Sequence, residues 1–382
     1  MPGVTAQQVT VLGGHGFIGK AVTSALDAID GEVAVHTMVR NASAAPTDRT
    51  THIGDITDGA SIRSAIRGSR TVVHAATYIG SDAELCHSTN IVGTENVAAA
   101  CAAEGVQRLL YVSTAAVYGT GPHRSARERD LGRSPESVLS RSRVAAEDIV
   151  FAAGGLAVRP DLIVGAGDRW FVPGLVKFID DLGGLVDGGE TLVSAIHVDD
   201  VATMVARLAT AEREIPAGPL NAAYPAPVAI GDVAGMVAPA TSWELPLPSV
   251  PRQHAAARAR ELRYSDRQFA LLASDHWYDS TALRSLVDVS DVDALTIQPA
   301  DVSWYRHTWP NNCAGCPCSP GLQNRGLPPV TPTGVVCRDG RSRQPELLRM
   351  PHSVTGRRHR ETPVLVVPGL PDCTPVSRPV DN

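Results

Sequence analysis

The sequence predicts an α/β protein built on a doubly wound, mostly parallel sheet, followed by a smaller, partly helical region. Three observations carry this. Apolar runs of strand length recur over the first 160 residues, helical spacing fills the gaps between them, and the first run breaks into a glycine-rich turn that opens a helix. Strands and helices alternating at this pitch build parallel sheets, with ligand sites at the strand C-termini.

In chain order, Val9-Thr10-Val11-Leu12 is the first strand, Gly13 to Gly19 the turn, and Lys20 to Ile29 the first helix. Glu32 to Arg40 reads as the second strand. Helical spacing over Ser61 to Arg67 precedes a strand at Thr71 to Ala76, and Asn90 to Glu104 precedes another at Arg108 to Ser113. The sheet is expected to receive further strands near Leu156 to Arg159 and Ser194 to His197. Beyond Gly165 the pattern loosens into shorter helices and Pro-rich connections such as Leu245-Pro246-Leu247-Pro248. From Pro310 to Asn382 thirteen residues are proline, arginines cluster at Arg357-Arg358-His359-Arg360, and periodicity is almost absent, so disorder is expected there.

Composition narrows the function. With 34 Lys+Arg against 40 Asp+Glu and a net charge of -6, the chain is poorly suited to neutralising phosphates on nucleic acid or to an anionic membrane. No run reaches the roughly 18 apolar residues of a membrane span, and Met1 to Gln8 lacks the regions of a signal peptide. A cytoplasmic protein without nucleic-acid or membrane partners is expected. Of seven cysteines only Cys86 and Cys101 precede residue 310, which leaves no disulfide framework. Cys313, Cys316, Cys318 and Cys337 lack a second matched pair or a histidine at ligand spacing, and no metal is assigned to them. Lysine occurs only at Lys20 and Lys177, leaving 32 arginines, the bias of a high-GC genome. Any chemistry needing lysine must find it at one of those two places.

Gly13, Gly16 and Gly19 have the spacing G-x-x-G-x-x-G between strand and helix. Glycine is required where backbone approaches a pyrophosphate and where helix packs on strand, and the helix N-terminus offers free N–H groups. The turn therefore predicts dinucleotide binding in a Rossmann arrangement, with Gly13, His15, Gly16, Phe17, Ile18 and Gly19 as expected contacts. An NAD site would place Asp or Glu at the end of the second strand; here stand Arg40 and Asn41. A guanidinium there can pair with a 2′-phosphate, so NADP(H) is the expected cofactor. The predicted organisation is an NADP-binding domain over 1–165, with later strands from about 190–225, a substrate-binding region mainly over 166–309, and the tail over 310–382.

Further motifs carry a family resemblance. They are Gly54-Asp55-Ile56-Thr57-Asp58, His74-Ala75-Ala76, Asn90-Ile91-Val92-Gly93-Thr94-Glu95-Asn96, Val112-Ser113-Thr114-Ala115-Ala116-Val117-Tyr118-Gly119, Arg159-Pro160 and Ile196-His197-Val198-Asp199-Asp200. With the glycine turn, their order and spacing resemble the extended short-chain dehydrogenase/reductase superfamily, in its epimerase/dehydratase branch, from about residue 8 to Trp309. The resemblance implies that Asp55 and Ile56 flank the adenine, that Ala75, Ala76 and Thr77 line the cofactor's middle, and that Pro160, Leu162 and Ile163 lie near the nicotinamide. It makes His197, Asp199 and Asp200 anchors between sheet and substrate region, and Tyr118 a packing residue. Homodimer formation is left open.

Members of this family normally protonate the reduced carbonyl with a Tyr-x-x-x-Lys pair helped by a Ser or Thr. Thr114 matches the hydroxyl position, with Ser113 as its neighbouring candidate. The segment that should hold the pair reads Leu139-Ser140-Arg141-Ser142-Arg143, with Leu139 for tyrosine and Arg143 for lysine. Gly16 and Pro173 stand four residues before the two lysines, so the chain contains no Tyr-x-x-x-Lys. Leucine cannot donate a proton; arginine can hold ribose hydroxyls but stays charged.

A substrate can dispense with the phenol if it stabilises its own oxyanion, as a polycyclic aromatic ketone beside a phenolic hydroxyl does. The expected reaction is therefore NADPH-dependent reduction of an angucyclinone-type aromatic polyketide, at its C-7 ketone, in antibiotic biosynthesis. Two alternatives stay open: a non-catalytic NADP-binding regulator, and a sugar-nucleotide epimerase or dehydratase-like enzyme.

Overall fold

The protein is described by a computed structural model over residues 7–29, 33–41 and 50–308. Seven strands, β1 (Gln7–Leu12), β2 (Val33–Val39), β3 (Thr50–Ile53), β4 (Thr71–His74), β5 (Arg108–Val112), β6 (Leu156–Pro160) and β7 (Gly218–Ala222), form one sheet. Its order is β7-β6-β5-β4-β1-β2-β3 and every pairing is parallel. The order reverses between β1 and β4, the place where doubly wound sheets open their ligand crevice.

Residue alternation explains the layers. Val9 and Val11 of β1, Leu110 and Val112 of β5, and Leu156 and Val158 of β6 share one core with Val22 and Leu26 of helix α1 (Phe17–Asp27). Their strand neighbours Leu12, Leu109, Tyr111 and Ala157 join the opposite core, with Ile62 of α2 (Gly59–Ile66), Val97 of α3 (Gly93–Glu104) and Val150 of α4 (Val138–Ala152). A period of two sends successive side chains to opposite faces, so an apolar run buries both faces at once. Each fully buried Val, Leu or Ile side chain among them contributes about 1.5–3 kcal/mol. Helix α5 (Val198–Thr210) completes the first layer, its Val201, Val205 and Leu208 in the same core as α1.

Two expectations need correction. Ser194 to His197 does not enter the main sheet: Ala195–His197 pairs in parallel with Leu162–Val164 in a separate ribbon, and the seventh strand is Gly218–Ala222. Pro219 lies in that last strand, where an edge position leaves one side unpaired and tolerates a residue without an N–H. The unexpected β3 is the opposite edge, four residues whose exposed ends carry no apolar alternation.

The second, mixed sheet runs Val228–Ala229, Leu192–Val193, His276–Tyr278, His123–Ala126. It draws a strand from between β5 and α4, so this layer is not confined to the chain after 166. Among the described residues no helix is long and apolar enough to cross a membrane. The expected tail and its cysteines lie outside the described residues.

Candidate functional site

The glycine turn closes backbone on backbone. Gly13 has φ +84°, and a Cβ on it would lie 2.7 Å from Ala76 N; one on Gly19 would lie 2.1 Å from Gly13 O. Gly13 N–H donates to Met38 O at 3.0 Å, tying the turn to the end of β2. Gly16 caps α1 without any side-chain acceptor, leaving first-turn N–H groups directed at the turn. His15 and Gly16 are exposed and Phe17 and Ile18 half-buried. Gly167, whose Cβ would meet the Phe17 ring at 2.8 Å, brings a second loop over the helix start. A cradle this short of Cβ atoms, with a positive dipole end, fits a pyrophosphate.

Arg40 and Asn41 follow β2 as exposed residues. Across from them Asp55 Oδ1 accepts from the Thr57 N–H and hydroxyl, both at 2.9 Å, while Ile56 is buried against Gly93, where a Cβ would fall 2.7 Å from Ile56 Cδ1. Ala75, Ala76 and Thr77 leave the end of β4 half-buried. Pro160 ends β6, and Leu162 and Ile163 lie in the ribbon that leads the chain out of the sheet.

At the reaction end the structure separates the candidates. Half-buried Thr114 accepts from Ala116 N–H at 3.1 Å and keeps its own O–H to donate. Ser113 is buried and donates to Glu147 Oε1 at 2.6 Å, so its hydroxyl is spent inside the protein. Leu139 is half-buried in the first turn of α4. Arg143, 6% exposed, turns inward: Nη1 donates to Thr77 Oγ1 at 2.7 Å, Nη2 to Val112 O, and the guanidinium lies 4.6 Å over the Tyr111 ring. Neither lysine replaces it. Lys20 is exposed on α1 and Lys177 pairs with Asp181 at 2.5 Å.

Thr77 also donates to Asn90 Oδ1 at 3.0 Å, which accepts from Tyr78 N–H at 2.7 Å, and Asn90 Nδ2 donates to Ser142 Oγ at 2.9 Å. Buried Asn90 thus joins the loop after β4 to α4. Its place in the Asn90-to-Asn96 motif was the available signal; the motif did not disclose the partners.

Beneath this layer lies a buried ion pair. Arg159 donates to both Glu147 oxygens, at 2.8 and 2.5 Å, and to Tyr118 Oη at 2.8 Å; Tyr118 donates to Asn221 Oδ1 at 2.7 Å. Tyr118 is a packing and hydrogen-bonding residue. His197 caps α5 by accepting from Asp199 N–H at 3.2 Å, and its Nε2 donates to Asp301 at 3.0 Å, which also accepts from Ala166 N–H at 2.8 Å. Asp200 accepts from Tyr224 Oη. The His/Asp cluster therefore joins α5 to the last helix of the described chain. Asp168, absent from the predicted site, accepts from the N–H groups of Trp170, Phe171 and Val172 and starts the next helix.

One buried acid has no such partners. Asp161, directly after β6, lies 3.5 Å from His276 Nε2, and burial pushes its carboxyl up to about 6. A raised folded pKa stabilises the protein below the unfolded value, and this contribution is lost as pH rises through the folded one. Asp161→Asn should therefore gain on the wild type between pH 4 and 6, by up to roughly 3 kcal/mol for a shift of about 2 units, with a constant gap above. Urea midpoints of both proteins across that range check it; a pH-independent difference would disprove it.

The fold and the turn define a dinucleotide-binding protein. The chain belongs to the NAD dependent epimerase/dehydratase family, whose match covers residues 9–223. That family's cofactor is a nicotinamide dinucleotide. The chain is 32% identical over 206 residues to the 4-hydroxy-2-methyl-3-oxo-4-farnesyl-3,4-dihydroquinoline-1-oxide ketoreductase of Stigmatella aurantiaca, covering 50% of this chain and 61% of that one. It is 30% identical over 211 residues to the 2-alkyl-3-oxoalkanoate reductase of Stenotrophomonas maltophilia (strain K279a), covering 51% and 63%. The match thus spans less than two thirds of either relative. Among solved structures, the Bordetella bronchiseptica enzyme WbmH in complex with NAD+ shares the fold, with a TM-score of 0.58 and 20% identity, covering 78% of this chain and 96% of that one.

Proposed function

We propose that the protein is an NADPH-dependent ketoreductase acting on a ketone of a polycyclic aromatic polyketide, of the angucyclinone type at its C-7 carbonyl. The observation that carries this is the absence of Tyr-x-x-x-Lys in an otherwise complete family frame, with Leu139 and Arg143 in the two positions. The Stigmatella relative, by its name, reduces a ketone on a fused ring.

A dinucleotide held by its pyrophosphate at the glycine turn would supply the hydride from its nicotinamide ring. The chain's own residues do the rest. Gly13, Gly16 and the start of α1 would hold the pyrophosphate, and Arg40 would meet the 2′-phosphate. Arg143 acts through Thr77, holding the loop that lines the cofactor's middle. Thr114 offers its O–H to the ketone oxygen, while the apolar Leu139 keeps water from the carbonyl and leaves the substrate's internal hydrogen bond intact.

Mixing the protein with NADPH and a panel of aromatic ketones tests the reading. Oxidation of NADPH with formation of the alcohol supports it. Cofactor binding without consumption by any ketone would instead indicate an NADP-binding regulator. Arg40→Asp is expected to shift the NADPH-to-NADH affinity ratio at least about tenfold towards NADH, since a charged hydrogen bond is worth roughly 1.5–3 kcal/mol. An unchanged ratio would remove Arg40 from cofactor selection. Thr114→Val should slow hydride transfer by about tenfold or more if its O–H supports the developing charge; a wild-type rate in single turnover would exclude that role.

A further inference from the structure

We propose that the buried Arg143 guanidinium is an uncompensated positive charge beneath the cofactor crevice, and that it makes the site hold the reduced dinucleotide in preference to the oxidised one. This rests on dinucleotide binding at the glycine turn and not on the identity of the ketone.

The placement comes from the strand ends. A Cβ on Gly13 would lie 2.7 Å from Ala76 N, and the same turn is tied to the end of β2 through Met38 O. A dinucleotide with its pyrophosphate there and its adenosine on the β2 side runs its other half over the ends of β4 and β5. Arg143 reaches that place from α4. Its Nη1 donates to the hydroxyl of Thr77, one residue past Ala76, and its Nη2 to the carbonyl of Val112, the last residue of β5 and two before Thr114.

The guanidinium is fixed there. Thr77 gives its own proton to Asn90 Oδ1 at 3.0 Å, so towards Arg143 it can only accept. Asn90 is held in turn, Nδ2 donating to Ser142 Oγ at 2.9 Å and Ser142 to Leu139 O at 2.8 Å. These bonds all run one way, from a guanidinium that keeps its proton to a carbonyl that has none. They offer position and charge but no acid.

The charge is not balanced by its surroundings. Among the described residues no carboxylate forms an ion pair with Arg143; Glu147, one turn further along α4, accepts from Arg159 at 2.8 and 2.5 Å and from Ser113 at 2.6 Å. Tyr111, whose ring lies 4.6 Å from the guanidinium, is a neutral phenol, pushed up to about 12 by burial. His74, opposite Tyr111 across β4 and β5, is neutral too, held down to about 3 by burial and by Arg143. The tyrosine position, where a phenolate could have offset a cation, holds Leu139. A fixed charge only 6% exposed is weakly screened, so its field reaches the adjoining crevice.

The two redox states of the cofactor differ by one charge at the ring. In a ketone reduction the hydride and its electron pair pass to the carbonyl carbon, and the nicotinamide is left positive where it was neutral. The oxyanion formed in the same step carries the opposite charge, so the repulsion is felt once the product has gone. It then falls on the oxidised dinucleotide alone, which favours its exchange for a reduced one.

Calorimetric titration with NADPH and with NADP+ at one ionic strength reads the preference in the wild type, Arg143→Met and Arg143→Lys. The wild type should bind NADPH at least about tenfold more tightly than NADP+. Arg143→Met should narrow that ratio by about tenfold, and Arg143→Lys, which keeps the charge, should retain it. An Arg143 that served only to hold the Thr77 loop would weaken both dinucleotides together and leave the ratio alone. Equal wild-type affinities, an unchanged ratio in Arg143→Met, or a ratio narrowed as much in Arg143→Lys overturns the proposal. Should Arg143→Met fail to fold, Arg143→Gln, neutral with an amide left to donate, takes its place under the same criteria. Binding of neither dinucleotide would overturn the cofactor assignment and the proposal together, whereas NADPH bound with the stated ratio and no ketone reduced would sink only the ketoreductase reading.

Discussion

Arg159→Leu is expected to destabilise the protein by roughly 3–5 kcal/mol, the cost of breaking a buried ion pair from one side. Glu147 is 0% exposed and Arg159 3%, and the guanidinium supplies two of the carboxylate's close hydrogen bonds. Without it Glu147 keeps only the Ser113 hydroxyl and Arg133 at 3.9 Å, too little to solvate a charge far from water. Tyr118 loses a donor at the same time, which loosens the Ala115–Tyr118 turn that carries Thr114's acceptor contact. Urea unfolding measures the loss. The double variant Glu147→Leu with Arg159→Leu should recover much of it, because the penalty belongs to the orphaned charge rather than to the missing attraction. A single variant within about 1 kcal/mol of the wild type would show that the carboxylate has found water or another partner.

Gly19→Ala should weaken dinucleotide binding by about tenfold to a hundredfold. Its Cβ would stand 2.1 Å from Gly13 O, a backbone atom of the turn, so the turn must shift. Overpacking of this kind costs on the order of 1–3 kcal/mol, and the same amount lost from binding is one to two decades of affinity. Gly154→Ala is a control for the loss of a glycine away from the turn. It forces a side chain onto a positive φ, +75°, a strain that Gly19 within α1 does not carry, but meets nothing within 4 Å and lies away from the turn, so it should lower stability and leave affinity alone. Calorimetric titration with NADPH separates the two. Equal affinities for both variants would mean that the turn does not hold the cofactor.

Much of the fold was legible because its determinants are local. The run Val9 to Leu12 and the alternation through β5 and β6 mark buried strands, and the glycine spacing marks the turn between β1 and α1. The first edge strand was not, and the last only as an unplaced strand within 190–225. Thr50–Ile53 and Gly218–Ala222 bury too little, or carry a proline, and they become strands only because a neighbour offers its free edge. Ser194 to His197 has an apolar pattern fit for the main sheet, yet the chain leaving β6 at Leu162–Val164 claims it first.

The site divides the same way. Covalent order alone establishes that no tyrosine stands four residues before a lysine, so the loss of the usual acid pair needed no coordinates. Where the remaining polar groups are spent is a tertiary matter. Ser113 and Thr114 are neighbours with the same chemistry, but alternation along the strand end sends the first to Glu147 and leaves the second half-buried with its O–H to give. Arg143 stands in the lysine position by sequence and turns inward because Thr77 and the Val112 carbonyl lie within its reach. Asp161 and His276 meet only when the second sheet packs against the end of β6. Spacing along the chain decides which groups are present, whereas burial and pairing between distant segments decide which hydrogen-bonding capacity is consumed within the protein and which remains for a ligand.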